Sequence, residues 1–195
     1  MILGQQIRLR PIEKDDLPRF VKWFSDPDVR YFLAAYRPFS QDQEDQWYLR
    51  NREAGDLQAW AIDAQPDDLT VGPWIHMGSC GFHEIDWRNR MGEVGIMIGA
   101  RDFWGRGYGT DAMRTLVGWG FDMLNLHRLQ LRVYADNARA IRCYEKVGFQ
   151  HEGRLRESHY SNGFYRDTLL MSLLRSEWYA PPPAASTTTT LLPDA

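Results

Sequence analysis

The chain has 195 residues, 44% of them hydrophobic and 25% charged, with a formal net charge of −3. That length and balance predict one globular domain large enough to bury a real core. The mild negative charge argues against nucleic-acid binding by bulk electrostatics.

Ile7 and Leu9 alternate with Arg8 and Arg10, the period-two pattern of a first strand, and Pro11 ends it. Leu17, Phe20, Val21 and Phe24 recur at helical spacing, with Asp15 and Asp16 near the helix start. Ser25-Asp26-Pro27 stops that run. Ser40 is placed as the N-cap of a second helix over 41–51. Strands are expected over 58–64, 74–85 and 93–98, joined by a loop at Pro66-Asp67-Asp68 and a turn over 86–91. Such short connections favour antiparallel pairing.

Phe103-Trp104-Gly105-Arg106-Gly107-Tyr108-Gly109-Thr110 then sets a glycine at every second position and leads into a helical pattern. Ala112, Met113, Leu116, Val117, Gly120, Phe121 and Leu124 form one apolar face of that helix. Leu129, Leu131 and Val133 alternate with Arg128, Gln130 and Arg132 as a strand. Residues 138–147 read as a helix, with Gly148 as its C-terminal cap. Two strands close the domain and meet at the hairpin signal Ser161-Asn162-Gly163, the second running over 165–174. From Ala180 the chain is rich in Pro and Thr, so a domain over 1–179 is expected beside a disordered tail over 180–195. Strand, loop, helix and strand over 93–133 make a βαβ-like unit. The predicted class is therefore α/β with α+β character: one domain with a mixed, mostly antiparallel sheet flanked by helices.

Glycines let a backbone approach a ligand closely, and a helix start offers unpaired N–H groups at the positive end of its dipole. The run from Gly105 to Thr110 thus suits a pyrophosphate, although three glycines also serve as a tight turn. It lacks the Gly-Lys-Ser/Thr of a Walker loop and the third-glycine spacing of a dinucleotide fingerprint.

Downstream stands Asn137-Ala138-Arg139-Ala140-Ile141-Arg142-Cys143-Tyr144-Glu145-Lys146-Val147-Gly148-Phe149. The two blocks in this order resemble the GNAT acyl-CoA-dependent N-acetyltransferases. The family's phosphate loop reads Gln/Arg-x-x-Gly-x-Gly/Ala. Aligned on Gly107 and Gly109, its first position here is Trp104, a departure that affects a side-chain role and leaves the backbone cradle intact. The second block follows the family's Asn-x-x-Ala-x-x-x-Tyr-x-Lys-x-Gly-Phe. Ile7-Arg8-Leu9-Arg10-Pro11, Trp23-x-x-Asp26-Pro27-x-Val29, and the stretch from Glu152-Gly153 through Asn162-Gly163 to Met171 resemble the RimJ/RimL branch. That branch includes ribosomal-protein acetyltransferases and polyamine acetyltransferase relatives. The likeness spans residues 7–178.

The resemblance implies direct attack of a primary amine on the thioester of acetyl-CoA. Holding both reactants in one site contributes up to about 7–11 kcal/mol. Backbone N–H groups of Gly105, Arg106, Gly107, Tyr108, Gly109 and Thr110 would hold the pyrophosphate. The Arg106 side chain would reach a phosphate or solvent. Arg139, Arg142, Arg154 and Arg156 would help neutralise the cofactor or form a solvated face. Asn137 would bond the pantetheine arm, and it fits a plain helix N-cap equally well. Tyr144 would donate to the departing sulfur. With a phenol near 10 and a thiol near 8.5, complete proton transfer is uphill by about 2 kcal/mol, so a hydrogen bond to developing charge is the expected role.

Glu93 is the implied base, acting through water; a structural carboxylate fits as well, and His83, Glu84, Asp86 and His127 are alternatives. Cys143 as an acyl-enzyme nucleophile has no histidine partner suggested by sequence. Cys80 and Cys143 are the only cysteines, too few for a disulfide framework, and no metal-ligand spacing is present. Neither a signal peptide nor a membrane span is expected, and the cytoplasm is the expected compartment.

The acceptor stays open between a protein N-terminus, which the branch favours, and a small amine such as a polyamine or an amine-bearing antibiotic. A polyamine would need carboxylates, to which Glu84, Asp86 and Glu93 could contribute. No nucleic-acid or membrane partner is expected, and a homodimer is an open option. The rival function is a non-catalytic acyl-CoA-binding or sensory module on the same fold.

Overall fold

The structure is a computed structural model and describes residues 1–34, 37–54, 59–65 and 72–180. The expected loop at 66–68, the strand's first residue Gln58 and the tail from 181 onward lie outside the described residues.

Eight strands form one sheet: β1 (Ile2–Leu3), β2 (Ile7–Pro11), β3 (Ala59–Ala64), β4 (Ile75–Asp86), β5 (Met91–Ile98), β6 (Arg128–Tyr134), β7 (Gln150–Ser161) and β8 (Phe164–Leu174). Their spatial order is β1-β2-β3-β4-β5-β6-β8-β7. Every neighbouring pair is antiparallel except β5 with β6. The helices are α1 (Leu17–Ser25), α2 (Pro27–Arg30), α3 (Gln41–Ala54), α4 (Tyr108–Asp122), α5 (Ala138–Val147) and α6 (Arg175–Trp178).

Three of these elements, β1, α2 and the single-turn α6, escaped the sequence reading. β1 has two residues, too short to show alternation. α2 begins where α1 was expected only to stop. Asp26 caps it through Oδ1, which accepts from the Asp28 amide at 2.9 Å, and Pro27 fills its first position, where a missing N–H costs nothing.

The sheet divides two cores. α4 and α5 cover one face, and their apolar stripe packs Met113, Leu116, Phe121, Tyr144 and Val147 against Leu9, Ile62, Met77 and Leu131. α1 to α3 cover the other face, where Leu17, Phe20, Trp23 and Tyr48 meet Ala61 and Met97. Asn162 at φ 52° and Gly163 at φ 90° close the β7–β8 hairpin in the left-handed pair of conformations that a right-twisted ribbon favours.

The arginines of β2 do not face water. Arg8 and Arg10 pair with the buried Asp63 of β3 at 2.8 and 2.9 Å, and Arg10 forks onto buried Asp16 at 2.7 and 2.8 Å. His76 Nδ1 lies 3.0 Å from the same Asp16. Burial opposes ionisation of Asp16, but hydrogen bonds from Arg10 and the Glu13 backbone, with His76 close by, outweigh it and hold the carboxyl far below its usual range. This network locks the turn before α1 onto the sheet.

Candidate active site

β5 and β6 pair in parallel at three positions, Met91 with Arg128, Gly92 with Leu129 and Glu93 with Gln130. Beyond Glu93 the two strands part. A cavity of about 710 Å³ opens in the gap, lined by β5 from Glu93 to Ile98, by Arg132, Val133 and Tyr134 of β6, and by the starts of α4 and α5.

The glycine loop forms one wall. Gly105 and Gly107 have φ of 75° and 93°, in the left-handed region, and Gly107 is the N-cap of α4. A Cβ at either would meet nothing within 4 Å, so the space beside this backbone is open for a ligand. Among the described residues the amides of Gly105, Gly107 and Gly109 have no intramolecular acceptor. The cradle is shorter than expected, because the Thr110 amide is already bonded to the Gly107 carbonyl at 3.0 Å. The side chains of Arg106 and Tyr108 also lie outside the cavity lining. Arg106 turns back to the Asp102 carbonyl at 3.4 Å. Tyr108 is fully buried, and its hydroxyl donates to the Gln65 carbonyl at 3.2 Å. The Tyr108 hydroxyl is thus engaged away from the cavity, while the exposed Arg106 side chain makes a long contact.

Trp104, the departure from the family pattern, anchors the loop. Its Nε1 donates to the Ile98 carbonyl at 2.7 Å, and the Arg139 guanidinium sits 3.7 Å over its ring. The loop is thereby tied to the end of β5 and to α5. Arg139, Arg142 and Lys146 line the cavity and give it positive charge suited to phosphates. Arg154 pairs instead with Asp167 on the β7–β8 hairpin.

Asn137 caps α5 through Oδ1, which accepts from the Ala140 amide at 3.2 Å. Its Nδ2 has no acceptor among the described residues, and the residue lines the cavity, so both sequence readings fit one side chain. Tyr144 is 6% exposed and lines the same cavity. Burial, with a smaller contribution from Cys143, pushes its phenol well above the usual value and keeps it a donor. Cys143 is also on the wall; burial raises its thiol, against a 3.5 Å contact from Thr110 Oγ1. A thiol held protonated is a poor nucleophile.

Glu93 stands where the strands part, with Oε2 3.4 Å from Gln130 Nε2 and 3.6 Å from Arg132 Nε. Of the acidic trio, Glu84 stands directly opposite Glu93 in the β4–β5 register, but Glu84 and Asp86 lie outside the cavity lining. β4 and β5 do pair as a hairpin, but only Glu93 lines the cavity, while Asp86 is taken up by Asn89 at 2.9 and 2.6 Å. His127 does not line it either, whereas His83 does.

His83, one of the alternatives in the sequence reading, owes its place on the cavity wall to a feature the sequence does not show. A bulge between Phe82 and Glu84 pushes it out of the ladder with β5, and bulges re-aim side chains beside active sites. A second cavity, of about 920 Å³, lies on the α1–α3 side and shares Leu33, Ala34, His83, Gly95, Ile96 and Met97 with the first. Among the described residues no three His, Cys, Asp or Glu side chains gather to hold a metal ion, and no helix is long and apolar enough to cross a membrane.

Comparison with known proteins agrees with this geometry. The family described as the acetyltransferase (GNAT) domain matches residues 6–150. A putative ribosomal N-acetyltransferase of Bacillus subtilis, YdaF, is 36% identical over 184 residues, covering 90% of this chain and 95% of that protein. The spermidine N(1)-acetyltransferase of Escherichia coli K12 is 35% identical over 180 residues, covering 91% of this chain and 90% of that one. The crystal structure of spermidine N-acetyltransferase from Vibrio cholerae in complex with CoA and spermine superposes with a TM-score of 0.77 at 25% identity, covering 90% of this chain and 99% of the other. The chain belongs to the GNAT acetyltransferases and transfers an acetyl group from acetyl-CoA to an amine.

Proposed function

We propose that the acetyl donor is held from the α4–α5 side of the β5–β6 gap, and that a primary amine reaches it from the α1–α3 side. The observation that carries this reading is the meeting of the two cavities along Gly95, Ile96 and Met97, with the glycine loop on one side only. Acetyl-CoA supplies an activated acyl carbon and a thiolate leaving group.

The chain's own residues do the rest. The Gly105, Gly107 and Gly109 amides and the Arg139–Lys146 face of α5 bind the phosphates. Asn137 Nδ2 orients the pantetheine arm. As the amine nitrogen bonds to the acyl carbon and the C–S bond breaks, the Tyr144 hydroxyl donates to the sulfur. The amine's proton passes through water to Glu93, held beside Gln130 and Arg132. His83 is the second reading for that proton, favoured by its bulge and its place where the cavities meet.

The protein acts in a reducing compartment such as the cytoplasm, in keeping with two free cysteines. The branch likeness to RimJ/RimL leaves both peptide and small-molecule amines as acceptors. Thiol release from acetyl-CoA across an amine panel tests the function. Turnover with at least one primary amine is expected. Tight CoA binding with no turnover on any acceptor would support the non-catalytic module instead.

A further inference from the structure

Glu44 lies on the inward face of α3, one turn before buried Tyr48, and is 5% exposed. Its carboxylate has no hydrogen-bond or ionic partner among the described residues. Burial, and then the neighbouring Asp45 carboxylate, raise its pKa. The Glu44 oxygens are not among the fully buried unpartnered atoms and so keep access to the cavity, and a largely desolvated, unpaired carboxyl in a cleft is a candidate functional group.

Glu44 lines the cavity on the α1–α3 side and is the one carboxyl among its described lining residues. Arg37 and Arg50 also line it but are exposed, and His83 stands where this cavity joins the one bearing the glycine loop. The arginines oppose bulk attraction of a cation, so recognition at Glu44 must come from short-range pairing within the cavity.

We propose that Glu44 is a recognition subsite for a second, positively charged nitrogen of the acceptor. The preferred substrate is then a primary amine carrying another basic group on the same chain, whether a small diamine or a lysine-bearing peptide. This rests on the acetyltransferase reading, with the reacting amine at the β5–β6 gap. An ammonium at Glu44 supplies the counter-charge and hydrogen bonds that the fold withholds. A neutral or anionic tail leaves the carboxyl unpaired.

The test is calorimetric titration of the CoA-loaded protein with 1,5-diaminopentane and with pentylamine, using wild type and Glu44→Gln. A parallel pair of short peptides, one with lysine and one with norleucine in second place, distinguishes the two sources. Wild type is expected to bind the dicationic member of at least one pair about tenfold or more tightly than its monoamine counterpart. Glu44→Gln should abolish that preference and leave CoA affinity unchanged. Glu44→Met, similar in volume and uncharged, repeats the measurement should the amide misfold. Equal affinity within both pairs, or a preference that survives both variants, overturns the proposal. Glu44-dependent binding without thiol release would sink the transferase reading and keep the subsite. Turnover with no dicationic preference would do the reverse.

Discussion

The imidazole of His83 fills the space over Gly95: a Cβ built on that glycine would lie 2.0 Å from His83 Nε2. Gly95→Ala should therefore expel the ring from the junction of the two cavities. If His83 receives or orients the amine's proton, kcat should fall about a hundredfold in Gly95→Ala and in His83→Gln alike, with CoA affinity little changed. Steady-state kinetics beside CoA calorimetry reads this out. Full turnover in His83→Gln would return the proton to Glu93, and Glu93→Gln should then flatten the acidic limb of the pH profile.

The glycine loop separates backbone strain from ligand contact. Gly107 has φ 93°, so Gly107→Ala should cost about 1–2 kcal/mol of stability. A Cβ at Gly109 would make ordinary contact with Ile98 and Cys143 at 3.8 and 3.9 Å, so Gly109→Ala should fold as well as wild type. Asp at either position sets a carboxylate beside the phosphates, where like charges near 4 Å cost about 1–4 kcal/mol. CoA affinity should drop at least about tenfold in both Asp variants. Undiminished affinity in folded Gly107→Asp and Gly109→Asp would place the phosphates elsewhere.

Tyr144→Phe keeps the buried ring and removes the hydroxyl. Because that hydroxyl acts on charge absent from the ground state, kcat should fall about a hundredfold while acetyl-CoA affinity holds. The phenol's raised pKa sets the sign of its pH effect: it stays protonated past its ordinary value near 10, so no loss of activity below that pH traces to Tyr144. Equal kcat in both proteins would exclude the hydroxyl from leaving-group chemistry.

Asp16 is a test of stability. Its folded pKa lies below the unfolded one, so its stabilisation is complete above the ordinary carboxyl range and drains away as pH falls through and below it. Asp16→Asn breaks buried pairing with Arg10 and His76 and should cost about 3–5 kcal/mol near pH 7. The variant's melting temperature should also decline less steeply between pH 5 and 3 (an interval of roughly two pH units around the usual carboxyl value). Parallel melting curves across that range would show that Asp16 titrates alike in both states.

Elements with a strong local period could be read from the chain. The stripe from Ala112 to Phe121 faces the core because 3.6-residue spacing puts those side chains on one side of α4. Gly148 ends α5 at φ 115°, where an L side chain would be strained. α2 was missed because Asp26-Pro27 carries a stop signal and a start signal at once, and a sequence reading takes the first.

Site residues divide along the same line. The chain by itself determined the glycine-loop conformation, the Asn137 cap and the Tyr144 position, since each depends on backbone conformation or helical spacing within a few residues. Only the tertiary structure decided which polar groups share a cavity. Glu84, Asp86 and Glu93 are neighbours on a hairpin, yet an Asn89 turn removes Asp86 and the cavity takes Glu93 alone. His83 looked like an ordinary strand residue until a bulge and a glycine on the next strand gave its ring a place. Glu44 looked like one more acidic residue on a polar helix, and its isolation comes from α3 packing against a sheet contributed by distant segments. Desolvation and pairing depend on what surrounds a group in three dimensions, and the sequence around a residue does not carry that information.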